Sequence, residues 1–228
     1  MTPTNLDPPV PVLLIKRAYK LIEYAQGENN NMIKTTGRLA FMAFILFSGT
    51  AQAAPESAVT ASTAAAGAPT LAVQDLVSSA RAAANDRVSA VLDLHEMARL
   101  ILAKNWDKLK PADRERYASL LSGLVEKIGY PQIQKFFNGR IEITYTGERT
   151  LDGGASAVFT SIFYKDEDLT LTTEFRLHPT EKGWRIYDVI TDGESLLLIY
   201  RNQHSGIIRD KGFPQLIKLM EKKFNEAK

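Results

Sequence analysis

The stretch GWRIYDVITDGESLLLIYRNQHSGIIRDKG, residues 183–212, decides how the sheet and the helices of this chain are joined. Its first nine residues have the aromatic and β-branched composition of a strand. An acidic turn, residues 192–194, comes next; Asp at such a place caps a following helix, and Glu favours the positive helix end. Residues 194–210 then carry apolar side chains at helical spacing. The stretch predicts a strand that leads directly into a helix.

Three further strands are predicted ahead of this one. Residues 140–149 alternate cleanly between apolar and polar side chains, and residues 155–165 and 169–178 follow with the composition of strands. Turns that contain Gly, Asp and Lys join them. Parallel neighbours would need long crossover connections, so four short-linked strands predict an antiparallel meander.

Helical periodicity lies on both sides of the meander. The predicted helical segments are residues 71–86, 86–109, 111–128 and 133–137 before the sheet, and 194–210 and 213–226 at its end. Pro111 suits the first turn of its helix, and Gly129 with Pro131 should end that helix. Helices, then an antiparallel sheet, then helices predict an α+β domain.

The N-terminal part of the chain has the features of an export signal. From Met32 the sequence combines two basic residues, a short apolar run at 39–47 and a small-x-small pattern at 51–53. The run is shorter than the ~20 residues that span a membrane. We therefore predict a cleavable signal peptide over residues 32–53 and a mis-called or disordered extension over residues 1–31. The alternative is a genuine extension whose apolar segment is kept as an anchor.

A flexible linker is predicted after the cleavage site. Residues 54–70 are rich in Ala, Ser, Thr and Pro and have almost no large apolar side chains, so burial cannot offset the entropy of ordering them. One folded domain, residues 71–228, remains.

The charge balance excludes a nucleic-acid-binding protein. Once residues 1–53 are removed, the basic and acidic residues are equal in number, so the net charge is zero and no basic stripe is present. Cysteine is absent, which excludes disulfides, thiol nucleophiles and cysteine-bound metals.

Candidate catalytic residues are few. No two of the three histidines have the spacing of a metal-binding pair, and no phosphate-binding or nucleophile motif occurs. His95 with Glu96 is the only adjacent acid–imidazole pair, and a solvated helix edge is its simpler interpretation. Asp188, Asp192 and Glu194 form a carboxylate cluster, for which capping of the next helix is favoured over acid–base chemistry.

Several segments carry more apolar surface than one buried face requires. Phe159 and Phe163 alternate with Val158 and Ile162, so both faces of that strand are apolar. The run LLLIY at residues 196–200 is likewise wider than one helix seam. Two interpretations explain these patterns equally well. In one, the strand and the helix are covered by other elements on two sides; in the other, their extra apolar side chains line an unfilled cavity.

The C-terminal part contains an ordered set of motifs. In chain order the motifs are W-R-I-Y-D-V, G-E-S-L, Y-R-N-Q and a Leu-Ile pair. The residues that define them are Trp184, Tyr187, Asp188, Val189, Gly193, Ser195, Leu196, Tyr200, Arg201, Gln203, Leu216 and Ile217. This set resembles the signature of the MlaC family, the toluene-tolerance-type periplasmic lipid carriers. The resemblance covers residues 71–219 and includes the helix pair upstream. The chain departs from the family at His204, where Phe is usual, and at residues 103–105, where Leu-Gly usually precedes the Trp.

The resemblance implies an NTF2-like cup whose sheet and helices enclose an apolar pocket for the acyl chains of a phospholipid. We expect the lining to include Phe159, Ile162, Leu171, Phe175, Trp184, Leu196, Leu197, Ile199 and Tyr200. The family is not an enzyme family, so no catalytic residue, cofactor or metal is expected.

The resemblance also implies partners and a compartment. We expect a periplasmic monomer that carries phospholipid between outer and inner membranes, and so maintains outer-membrane lipid asymmetry. Its partners would be an inner-membrane ABC transporter with an MCE-type lipid-handling ring and an outer-membrane lipoprotein. A hopanoid-type lipid is the alternative cargo.

Two alternative functions stay open at this point. One is an enzyme on the same cup-shaped fold with Asp188 or His95 as its base, which needs a polar group inside the cavity. The other is a periplasmic adaptor without ligand, whose apolar surface binds protein.

Overall fold

The computed structural model describes residues 67–165 and 168–227. The predicted extension (residues 1–31), the predicted signal peptide (32–53) and residues 54–66 of the predicted linker lie outside the described residues. Residues 68–70 of that linker form the start of the first helix.

The order of elements is helices, sheet, helices. Before the sheet come α1 (Ala68–Arg81), α2 (Asn85–Val91), α3 (Leu94–Leu102), α4 (Pro111–Leu124) and α5 (Tyr130–Phe137). The sheet contains β1 (Ile141–Thr150), β2 (Ser156–Tyr164), β3 (Leu169–Thr180), β4 (Gly183–Thr191) and β5 (Glu194–Ser195). The chain continues with α6 (Leu196–Lys211) and α7 (Phe213–Glu226). The predicted α+β class is confirmed.

All neighbouring strands pair antiparallel, in the order β1-β2-β3-β4-β5. The predicted four-stranded meander is therefore correct, with the two-residue β5 added at its edge. Residues 194 and 195, predicted as the start of a helix, belong to this strand, and α6 begins at Leu196. β-Bulges interrupt the register of β1 with β2 and of β3 with β4, which increases the local twist.

The first predicted helix ends earlier than its periodicity suggests, and the second unit divides in two. Ala83 has a positive φ of 55°, which a right-handed helix does not tolerate, so α1 stops before it. Leu92 leaves the helical pattern because it forms a parallel bridge with Ile186 on β4. Asp93 then caps α3, its Oδ1 accepting the backbone N–H of Glu96 at 2.9 Å. Contacts with the sheet thus override local helix propensity here.

Gly129 and Pro131 do not end the third predicted helix, contrary to the prediction. A π-helical turn, Val125–Gly129, follows α4 and leads into α5, in whose first turn Pro131 lies. Proline is common in the first turn of an α-helix, and the turn before it here is the wider π turn, in which the N–H of Tyr130 bonds the carbonyl of Val125. Residues 111–137 therefore form a nearly continuous helical rod.

The buried apolar side chains form two groups. The sheet cluster is made by residues of α1, α2, α5 and β1–β4, together with Leu92 and Leu94. The helix cluster is made by residues of α3, α4, α6 and α7, together with Trp106. Half-buried Met97 of α3 packs against both clusters.

Arg185 on β4 joins the short helix α2 to the sheet. Its guanidinium donates to the carbonyl oxygens of Ser89, Ala90 and Leu92, at 2.9, 3.1 and 2.7 Å. These carbonyls lie where α2 ends and lack intrahelical partners. One side chain therefore satisfies the end of α2 and fixes its distance from β4.

We expect the substitution Arg185→Ala to lower the free energy of unfolding by about 2 kcal/mol, because three charge-assisted hydrogen bonds are lost. Arg87→Ala on the same helix is the matched control. Arg87 pairs with Asp75 at the surface, so its loss should cost less than ~1 kcal/mol. Urea unfolding followed by circular dichroism measures both; equal effects would contradict the role of Arg185.

Candidate functional site

The helix-facing side of the sheet is an apolar surface built by strand alternation. Ile143 on β1 lies opposite Ile162 on β2, and Ile162 lies opposite Leu171 on β3. Four residues further along, Val158 and Phe175 form the next apolar pair, beyond a pair of threonines. Ile162 and Leu171 are 2% and 5% exposed. Both belong to the sheet cluster, to which α1, α2 and α5 also contribute, so β2 and β3 are well covered here.

The cover is incomplete at β1. Ile143 and Tyr145 share the helix-facing side with Ile162, yet both are only half-buried. A groove of about 470 Å³ opens between α1 and β1, lined by Val77, Arg81 and residues 141–145. Its volume is in the range of small-molecule sites. The groove therefore reaches from solvent to the neighbours of Ile162.

The structure does not bring the nine predicted lining residues together. Ile162, Leu171 and Phe175 belong to the sheet cluster, and half-buried Trp184 packs against it. Phe159 lies on the opposite side of the sheet, where the guanidinium of Arg149 stacks 5.4 Å from its ring centre.

The four predicted residues of α6 also separate. Leu197 and Tyr200 contribute to the helix cluster. Leu196 is 41% exposed, and Ile199 is half-buried. Within residues 196–200, Leu197 and Tyr200 thus contact other helices. Leu196 and Leu198, the latter 48% exposed, form an apolar edge at the surface.

The groove residues Val77, Arg81 and Tyr145 were not predicted. The alternation of residues 140–149 does place Ile141, Ile143 and Tyr145 on one face, so the β1 wall was available from the sequence. Val77 and Arg81 are one helical turn apart on α1, but nothing in the sequence shows which strand they face.

Of the carboxylate cluster, Asp188 alone bonds the start of α6, so the capping interpretation holds only for this residue. Asp192 accepts hydrogen bonds from Thr172 on β3, Glu194 lies in β5, and the N-cap is Ser195. Asp188 is 4% exposed, and its Oδ1 accepts the backbone N–H groups of Val189 and Leu197 at 2.9 and 3.0 Å. Its Oδ2 accepts the hydroxyl of Ser195 at 2.7 Å, and the Ser195 hydroxyl oxygen accepts the N–H of Leu198. Both carboxylate oxygens of Asp188 are therefore occupied by the turn.

We expect Asp188→Ala to lower the free energy of unfolding by roughly 3–5 kcal/mol, because buried donors lose a charged acceptor. Glu194→Ala is the control, since this exposed neighbour should change stability by less than about 0.5 kcal/mol. Urea titrations compare the two variants. A loss below 1 kcal/mol for Asp188→Ala would show that its carboxylate does not hold the joint.

His95 and Glu96 do not act as a pair. The exposed His95 ring packs edge-on against Trp106 at 5.6 Å, while Glu96 binds Arg99 through two hydrogen bonds. A different acid–imidazole pair, which sequence spacing did not reveal, joins Asp93 and His178 at 2.9 Å. Burial opposes ionisation of Asp93, but the N–H of Glu96, the bond to His178 and the charge of Arg185 together lower the pKa of its carboxyl.

His204 lies inside the helix cluster. Its Nδ1 is 2.7 Å from the hydroxyl oxygen of Tyr117, and the two rings meet edge-to-face. Burial lowers the pKa of His204 to about 4 and raises the pKa of Tyr117. Both side chains are therefore neutral at neutral pH.

This neutral imidazole should make stability depend on pH. The folded pKa of about 4 is below the ordinary value of 6.5, so the unfolded chain binds more protons between these values. Above pH 6.5 His204 is neutral in both states and does not lower the free energy of unfolding. Through this group, the free energy of unfolding falls by about 3 kcal/mol as the pH drops from 6.5 to 4. Urea unfolding at several pH values measures it. The double variant Tyr117→Phe with His204→Phe should lose this part of the dependence, and an unchanged pH profile would contradict the assignment.

Within the part of the chain that the structure describes, no three His, Asp or Glu side chains lie close enough to hold a metal ion. No helix among these residues has the length and hydropathy needed to cross a bilayer.

Comparisons with known proteins agree with the motif analysis. Residues 63–222 match the family described as MlaC protein. A phospholipid-binding protein from Ralstonia solanacearum, solved in complex with a phospholipid, is similar in structure, with a TM-score of 0.59 and 15% identity. The match covers 71% of this chain and 99% of that one, and at this identity it shows a shared fold. No curated protein sequence matches the chain significantly.

Proposed function

The chain belongs to the MlaC family, and on that premise we propose that it carries a phospholipid, holding the acyl chains in an apolar pocket between the sheet and the helices. The family match over residues 63–222 is the observation that supports this function, since it spans nearly all of the described residues. The shared fold with a phospholipid-bound protein adds to it.

The physical requirement for such a carrier is a dry surface that replaces the bilayer. Each CH₂ group exposed to water costs about 0.8 kcal/mol, so a lipid does not leave a membrane for water unaided. The apolar row of Ile143, Ile162 and Leu171 supplies a surface of this kind. The groove between α1 and β1 supplies a route to it from solvent. Chains that enter would displace contacts between α1 and the sheet rather than fill an existing void.

We place the protein in the periplasm, where it shuttles lipid between the outer and inner membranes. Support for this compartment comes from the predicted signal peptide, residues 32–53. In this proposal the chain is the soluble component of an ABC transport system whose inner-membrane complex carries an MCE-type ring. An outer-membrane lipoprotein would exchange lipid with it at the other membrane.

The alternative of a cavity enzyme has little support in the site. Asp188 has both carboxylate oxygens bonded to the turn that begins α6. His95 is exposed and packs against Trp106. Neither group faces the groove, whose lining consists of Val77, Arg81 and residues 141–145.

The adaptor alternative has one specific observation in its favour, the neighbouring exposed side chains of Leu196 and Leu198. An apolar edge of this kind fits a protein contact. It is also compatible with a carrier, which must meet donor and acceptor proteins. The two functions differ in whether lipid is bound.

The deciding experiment is lipid analysis of the full chain, recovered from a bacterial periplasm without detergent. We expect organic extraction and mass spectrometry to yield roughly one phospholipid per protein, far above an equal amount of an unrelated secreted protein. Folded protein without lipid would contradict the phospholipid carrier. It would leave the adaptor, or a cargo such as a hopanoid that the expression host does not make.

A further inference from the structure

Arg81 occupies the solvent end of the groove between α1 and β1. It is the last residue of α1, and its side chain is exposed. Its Nε donates to the carbonyl oxygen of Phe137 at 3.0 Å, which fixes the guanidinium at the rim. Among the described residues, its two terminal nitrogens have no hydrogen-bond partner. The planar group therefore presents two donors in a set orientation, an arrangement suited to a phosphate.

The carbonyl groups at the end of α1 do not need this guanidinium. The N–H groups of Ala82, Ala83 and Ala84 bond the carbonyl oxygens of Ser78, Ala80 and Ser79. Asn138 donates to the carbonyl of Arg81 itself. The helix end is thus satisfied without the terminal nitrogens of Arg81, which stay available for a ligand.

Tyr145 supplies a second donor on the β1 wall. Its ring is half-buried among the apolar residues of the groove, and its hydroxyl has no hydrogen-bond partner within the described part of the chain. Burial raises the pKa of Tyr145, while the positive charge of Arg81 acts in the opposite direction. The phenol is therefore protonated at neutral pH and lies within the field of Arg81.

The acidic residue of the groove does not repel an anion strongly. Glu142 lines the groove, but its carboxylate pairs with the ammonium of Lys165 at 2.5 Å. Because Lys165 compensates the charge of Glu142, the guanidinium of Arg81 gives the rim of the groove a net positive charge. Beneath the rim, Val77, Ile141 and Ile143 supply apolar side chains, beside the polar residues Glu142 and Thr144.

We propose that the groove between α1 and β1 is the mouth of the lipid site, and that Arg81 and Tyr145 bind the phosphate of a phospholipid whose chains pass over Ile143 towards Ile162. This inference rests on the proposed carrier function and deepens it. It assigns the recognition of the lipid to the phosphate, the group common to phospholipids, rather than to the variable part of the head group. One charged and one neutral donor suit an anionic phosphate ester.

The test compares two lipids that differ in the phosphate alone. The full chain is incubated with phosphatidylcholine vesicles that contain equal amounts of deuterated dioleoyl phosphatidic acid and deuterated dioleoylglycerol. After separation from the vesicles, mass spectrometry gives the ratio of the two bound labelled lipids and their total. We expect the wild-type protein to favour phosphatidic acid, and Arg81→Gln to lower that ratio roughly tenfold, since a charge-assisted contact is lost.

Matched variants separate phosphate recognition from a structural role. Arg81→Gln should keep the total amount of labelled lipid, because Val77, Ile141 and Ile143 are unchanged, and Arg81→Lys should restore part of the ratio. Arg87→Gln, which removes a surface guanidinium on α2 outside the groove, should leave ratio and total unchanged. Ile143→Asp should reduce the total for both lipids, because a carboxylate then lies in their path.

Each outcome decides a separate question. An unchanged ratio in Arg81→Gln, with both lipids still bound, would overturn the phosphate contact and leave the carrier function standing. Normal total lipid in Ile143→Asp would overturn the position of the mouth. If the wild-type protein binds neither labelled lipid and contains none when purified, the proposed function itself fails, and this inference fails with it.

Discussion

The carboxylate of Asp188 holds together the two halves of this fold. It lies in β4, accepts hydrogen bonds from Val189 and Leu197, and receives the hydroxyl of Ser195. Through these bonds the chain passes from the sheet to α6 within a few residues, and the direction of α6 is fixed. Leu197 is thereby placed in the helix cluster while β4 contributes Ile186 to the sheet cluster. A buried charge is costly unless its partners are complete, and here both oxygens are occupied.

Local patterns predicted most of the fold because strand alternation and short turns are properties of neighbouring residues. The meander and the final helix follow from such patterns, whereas the N-cap of α6 is Ser195 rather than a residue of the acidic turn. The break at Leu92 does not, because it depends on a bridge to Ile186, a residue distant in sequence. The π turn was missed for a related reason. Gly129 and Pro131 usually end a helix, whereas here the preceding turn widens and the helix goes on.

The candidate site was predicted less completely than the fold. The motif in residues 184–217 identified the family, but it does not show which apolar side chains share a surface. Phe159 and Ile162 are an odd number of positions apart on β2, so they point to opposite sides of the sheet. The apolar run on α6 divides in a similar way, since successive residues turn by about 100° around a helix. Arg81 becomes visible only when α1 is placed beside β1.

The π turn at Val125–Gly129 makes the length of this segment a constraint on evolution. One rod serves two clusters: Tyr117 and Leu121 of α4 pack in the helix cluster, and Tyr130 and Phe137 of α5 pack in the sheet cluster. The wider turn holds one residue more than an α-helical turn would. Loss of that residue would rotate α5 by about 100° relative to α4. Substitutions that keep the length of this segment therefore preserve its contacts with both clusters, whereas the deletion of a single residue does not.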